Sequence, residues 1–104
     1  MKIKVSNMTS SNGNDIPNQF IIKTEAGTYF QSYESVIAFE PNNIARYPDE
    51  NTPDERKIQL DKNYWDYSKT TGKYRNQFLG ETKKETQENI NSGVYILTDL
   101  NPND

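Results

Sequence analysis

Alternation of apolar and polar residues runs through the first forty residues and then stops at Pro41. A two-residue period marks strands with one covered face. The front of the chain must therefore be sheet, and whatever follows Pro41 must be built differently. Residues 2–8 set Ile3 and Val5 on one side and Lys2 and Lys4 on the other. A polar turn cluster over 9–15 leads to Pro17, and residues 19–25 set Phe20 and Ile22 against Ile21 and Lys23. Glu25-Ala26-Gly27-Thr28 suits a tight hairpin, with Gly27 free to take the left-handed conformation. Residues 28–33 form the return strand and 35–39 a fourth.

Pro41, Pro48 and Pro53 then sit among Asn42, Asn43, Asp49, Glu50, Asn51, Asp54 and Glu55. This composition predicts a mobile, acidic loop over 41–56. A short strand resumes at 57–60. Ser68 or Thr70 can cap a helix reaching Leu79, with Gly80 at the C-terminal cap position. Thr82 and Glu85 have capping-box spacing, and Gly93 is a natural stop for a second helix. That helix is polar nearly all round, with Ile90 as its one strongly apolar residue. Residues 94–100 read as a last strand and 101–104 as a frayed tail. The reading is one α+β domain over 1–104. It is an antiparallel β-meander, flat or curled into a half-barrel, with one or two short helices before the last strand.

Only 32% of the 104 residues are hydrophobic, whereas 12% are aromatic. A small core of aromatic and β-branched residues under a very polar exterior reconciles the two figures. The chain has no Cys and no His, which removes disulfides, thiolate chemistry and the commonest general base and metal ligand. No apolar run approaches a membrane span, and no signal-peptide pattern opens the chain, so a cytoplasmic protein without a membrane partner is expected. No catalytic, metal or cofactor-binding residue is assigned. Fifteen carboxylates make chance pairs unavoidable, and none sits in an apolar setting that would raise its pKa.

The candidate site lies in residues 64–80. This run holds the only Trp and three of the seven Tyr. Residues 62–79 carry Lys62, Lys69, Lys73 and Arg75 against Asp66 alone, a basic island on a chain of net charge −3. Tyr67, Lys69, Thr70, Lys73, Tyr74, Arg75 and Asn76 are the expected partner-binding residues. Aromatic area, cations and a directional amide are what interfaces and single-strand binders use. Trp65 and Phe78 are expected in the core. Ser68-Lys69-Thr70-Thr71-Gly72-Lys73 superficially looks like a phosphate cradle but lacks the two-glycine spacing of a P-loop, and an N-cap is its ordinary reading. Glu40, Asp49, Glu50, Asp54, Glu55 and Asp61 cluster in a mobile segment, and the first five form a second candidate contact, a flexible anionic strip able to imitate nucleic-acid charge. A solvated loop is the plainer account of the same residues.

Four blocks resemble a family of small proteins from bacteriophages, plasmids and other bacterial mobile elements. They are Asn18-Gln19-Phe20; Tyr29-Phe30-Gln31-Ser32-Tyr33 with Ser35, Ile37 and Ala38; Tyr67-Ser68-x-Thr70-Thr71-x-Lys73-Tyr74-x-Asn76-x-Phe78-Leu79; and the closing helix and strand to Asn101. Many relatives carry a His where this chain has Tyr74, and the loop from Pro41 to Arg56 is longer than usual. The family has no established activity. By analogy with other small mobile-element proteins, the resemblance implies a non-enzymatic inhibitor of host defence of the anti-CRISPR kind, occupying a host protein such as a CRISPR effector. Two further readings come from the residues: a single-stranded nucleic-acid-binding module, and a nucleotide-ligand sponge.

Overall fold

The computed structural model describes residues 2–103. Strands β1 (Lys4–Thr9), β2 (Asp15–Lys23), β3 (Gly27–Ser32), β4 (Ser35–Pro41) and β5 (Gln59–Asp61) precede helices α1 (Lys69–Leu79) and α2 (Lys83–Asn91), and β6 (Ile96–Thr98) follows them. The six strands lie side by side in chain order. The first four pairings are antiparallel and β5–β6 is parallel. A parallel neighbour needs a crossover of a dozen or more residues, and α1 and α2 supply it. The α+β meander with two helices before the last strand is therefore observed.

Phe30, Ala38 and Leu60 align across β3, β4 and β5 and form the floor of the core. Met8, Ile16, Ile37 and Tyr95 complete it. Tyr74, Phe78 and Leu79 of α1 and Ile90 of α2 pack onto this floor, as does Trp65. Phe78 stacks on Phe30 with ring centroids 5.7 Å apart. Burying Phe30 completely contributes about 2–3 kcal/mol.

The helix ends follow their sequence signals. Ser68 Oγ accepts from Thr71 N at 3.1 Å, so Ser68 and not Thr70 is the cap. Gly80 takes φ 69° and its N–H donates to Asn76 O. Thr82 and Glu85 form the reciprocal capping box. The polar α2 is held by more than Ile90. Glu81 accepts from the Tyr95 hydroxyl at 2.6 Å and from the buried Thr86 hydroxyl at 2.5 Å, which ties the middle of α2 and the residue before β6 to one carboxylate.

Several expectations need correction. β2 starts at Asp15 and runs through Pro17. On β1 the covered residue is Met8, while Ile3 and Val5 are each 60% exposed, because Val5 registers with Ile22 and Tyr29 on the sheet face opposite the one that carries Ile21, Phe30 and the helices. Gly27 has no positive φ. It is required by close approach, since a Cβ there would strike Glu40 O and the Phe39 ring. Glu40 belongs to β4, not to the loop. Residues 42–56 include one 3-10 turn, Asp54–Arg56, and are tied back by Ala45 N to Arg56 O and by the Asn42 side chain to Glu25 O. Asn101, expected to open a frayed tail, instead pairs with β4. Its Nδ2 donates to Val36 O at 2.9 Å and its Oδ1 accepts from Val36 N at 2.8 Å, as a strand backbone would.

Asp61, grouped by sequence with the mobile acidic segment, instead closes β5 and is fully buried. Its Oδ2 accepts from Asn63 N and Tyr64 N, both at 2.9 Å, and its Oδ1 from Leu100 N at 2.8 Å. One carboxylate thus fixes the turn into α1 and the return of the chain end. Asp61→Ala strands three backbone donors, and urea unfolding should show a loss of about 3 kcal/mol or more.

Burial, and then the Glu81 carboxylate, push the Tyr95 hydroxyl well above the ordinary tyrosine value. The folded chain holds that proton more tightly than the unfolded one. The contribution is complete below about pH 10 and is lost as pH rises beyond it. The alkaline fall in urea midpoint should therefore flatten in Tyr95→Phe.

Candidate functional site

The sequence places seven contact residues in 67–76, and the fold splits them by the sides of α1. Tyr67 is 68% exposed, and Lys69, Thr70 and Lys73 are also exposed. Tyr74 is half-buried against the core and carries the Lys73 ammonium over its ring at 5.3 Å. Arg75 is 1% exposed and cannot be an open anion contact. Its Nη1 donates to Trp65 O at 2.6 Å and reaches Asp66 Oδ1 at 3.4 Å, and its guanidinium lies over the Trp65 ring at 5.3 Å. Its Nη2 donates to Asn76 Oδ1 at 2.9 Å, so that amide oxygen is engaged. Arg75 is a latch between α1 and the turn before it.

Two hollows flank the start of α1 and meet at Ser68. The first has a volume of about 470 Å³. Lys69, Gly72, Lys73 and Asn76 form its α1 wall, at the spacing of one helix face. Asp66 and Lys83, with Arg75 behind, close the other side. Lys83 comes from α2 and bridges Asp66 at 2.8 Å. Burial raises the Asp66 pKa, but Lys83 and Arg75 outweigh it and hold the carboxyl below the ordinary carboxylate value. Four cations thus face one carboxylate, which leaves the hollow positive. Gly72 is its floor. A Cβ there would meet the Arg75 Nη atoms at 3.6 and 3.7 Å, an ordinary contact.

The second hollow, about 400 Å³, lies between the β3–β4 turn and α1. Tyr33 and Tyr67 stand on its rim, and Ser32, Ser35, Ser68 and Thr71 supply hydroxyls. Ser32 and Thr71 hydrogen-bond across its base at 3.0 Å. Tyr67 is oriented by an edge contact from Tyr64, centroids 5.5 Å apart. Tyr33 sits at φ 56°, in the left-handed region that a bulky residue rarely takes. Its N–H donates to Asn18 O at 2.7 Å, and its C=O accepts from Gln31 Nε2 at 2.8 Å. Both backbone groups are held, so the neighbours enforce the costly conformation. Sequence reasoning missed Tyr33, Asp66 and Lys83 as site residues. Tyr33 lies in a quoted block, but its φ has no sequence signal.

The acidic candidates occupy a different part of the fold. Glu40 is exposed on β4. Asp49 caps its own turn through Asn51 N, and Asp54 pairs with Lys57 at 3.8 Å. Glu50 packs beside Gly93 and its C=O accepts from Lys57 Nζ, which sets the loop against the α2–β6 junction. Glu55 is exposed.

Among the described residues no group of three or more acidic side chains is placed to hold a metal ion, and no helix is long and apolar enough to cross a membrane. The fold and its hollows define a small α+β domain with a cationic and an aromatic recess beside one helix start. The chain belongs to a family of unknown function (DUF8033), whose model matches residues 3–92 and so takes in both recesses. Neither a curated protein nor a solved structure matches it.

Glycine in a helix interior costs about 0.5–1 kcal/mol relative to alanine, and nothing here forbids the Cβ. Gly72→Ala should therefore raise the unfolding free energy by about that amount while shrinking the cationic hollow. Chemical denaturation measures the gain.

Proposed function

We propose that this is a binding protein without turnover chemistry of its own, acting through the start of α1. The observation that carries the reading is the exposed rim of Tyr67, Lys69, Thr70 and Lys73 between two recesses on an otherwise acidic chain. Aromatic area with cations at the edge of a recess is what a partner surface engages. The resemblance to small phage and mobile-element proteins supplies the setting. The chain would block a host defence component, such as a CRISPR effector, by occupying its surface in the bacterial cytoplasm. The acidic residues Asp49, Glu50, Asp54 and Glu55 would form a separate contact.

Arg75 is too deeply built into the fold to test this, so the informative variant is Tyr67→Ala with Lys73→Glu, both at exposed positions. Wild type should retain a specific host protein from nuclease-treated bacterial lysate, and the double variant should lose it with an unchanged melting temperature. Retention by both proteins, or by neither, overturns the reading.

A further inference from the structure

We infer that the two recesses form one seat for a phosphorylated nucleoside, with the base between Tyr33 and Tyr67 and the phosphate among Lys69, Lys73 and Lys83. The inference rests on the reading of the α1 start as the contact face and names what that face holds. Two independent features point to it. The first is the cationic recess. Its only acid is already shared by Lys83 and Arg75. Lys69 and Lys73 form no ion pair among the described residues, so an incoming anion displaces no carboxylate from them.

The second feature is the aromatic recess. Tyr33 is 54% exposed, so its unfavourable backbone is not repaid by burial of its ring. Bonds at both its N–H and its C=O hold the ring on the rim opposite Tyr67. A planar base stacks on either tyrosine face. Ser35 and Ser68 offer hydroxyls to its edge or to the sugar. Ser68 is common to both recesses, so the two parts of one nucleotide fall on either side of a single residue. This is not a P-loop: the phosphate meets lysine side chains and the helix start, with no wrapping glycine loop.

The shared chemistry has two sources, a single strand or a free nucleotide. Fluorescence anisotropy with a short oligothymidylate, an abasic strand of equal length, and thymidine 5′-monophosphate as competitor separates them. The oligothymidylate should bind at low salt, and its log affinity should fall against log salt with a slope of about −2 for three lysine contacts. Tyr33→Asn tolerates the left-handed backbone, so its melting temperature should hold or rise. Its affinity should drop about tenfold or more, matching the abasic strand on wild type. Lys73→Glu should weaken binding and flatten the salt slope. Full displacement by the monophosphate assigns the seat to free nucleotides, and failure of displacement assigns it to strands. Either result supports the inference.

No binding of oligothymidylate or monophosphate at low salt overturns it. So does equal affinity for the abasic strand, which would leave only a charged patch. Retention of a host protein in the nuclease-treated pull-down without any oligothymidylate or monophosphate binding overturns this inference alone. Failure of both experiments overturns the proposed function as well.

Discussion

The Asp61 carboxylate is the fixed point of this fold. It is fully buried at the end of β5 and accepts three backbone N–H groups, two from the turn ahead of α1 and one from Leu100. Helix and chain end are thus referred to the same two oxygen atoms. β6 pairs in parallel with β5 because the chain re-enters beside it, and Asn101 then extends the ladder to Val36 of β4 with a side-chain amide. A buried charge is tolerable here because each interaction is a charge-assisted hydrogen bond to a backbone donor that would otherwise be stranded.

Arg75 does for α1 what Asp61 does for the chain end. A cation buried to this extent needs partners, and it finds Trp65 O, the Trp65 ring, Asp66 and Asn76 Oδ1. Its Nε has none, a cost of about 1–3 kcal/mol that the other contacts must offset. The latch sets the azimuth of α1. Lys69, Gly72 and Lys73 then face the Asp66–Lys83 pair, and Thr71 faces Ser32 on β3. The recesses are consequences of that rotation, because each side of the helix start meets a different neighbour.

Much of the local structure was legible. Ser68, Gly80, Thr82 with Glu85, and Gly93 punctuate the helices where their chemistry requires, because caps depend on residues a few positions apart. The alternation of β2 and β3 fixed their pairing for the same reason. The site was legible in part. Tyr67, Lys69 and Lys73 are exposed as expected, while Arg75 reads identically to a surface arginine until its neighbours are known. Lys83 is ten residues from Lys73 and joins it only because the turn at Gly80–Thr82 redirects the chain so that the first residue of α2 lines the same hollow. Ile3 and Val5 show the opposite failure: the alternation was read, but the register turns Val5 with Ile22 and Tyr29 to the face away from Phe30, so the apolar side of β1 is the open one.

By itself the sequence determined what nearest neighbours along the chain can enforce: element types, their caps, the scarcity of core residues and the basic character of 62–79. Only the tertiary structure decided which side of α1 is buried, that the last strand runs parallel, and that Tyr33 and Tyr67 stand on one rim. Those outcomes turn on contacts between residues thirty or more positions apart, such as Ser32 with Thr71 and Asp61 with Leu100. Periodicity and propensity carry no information about such contacts until the chain has closed on itself.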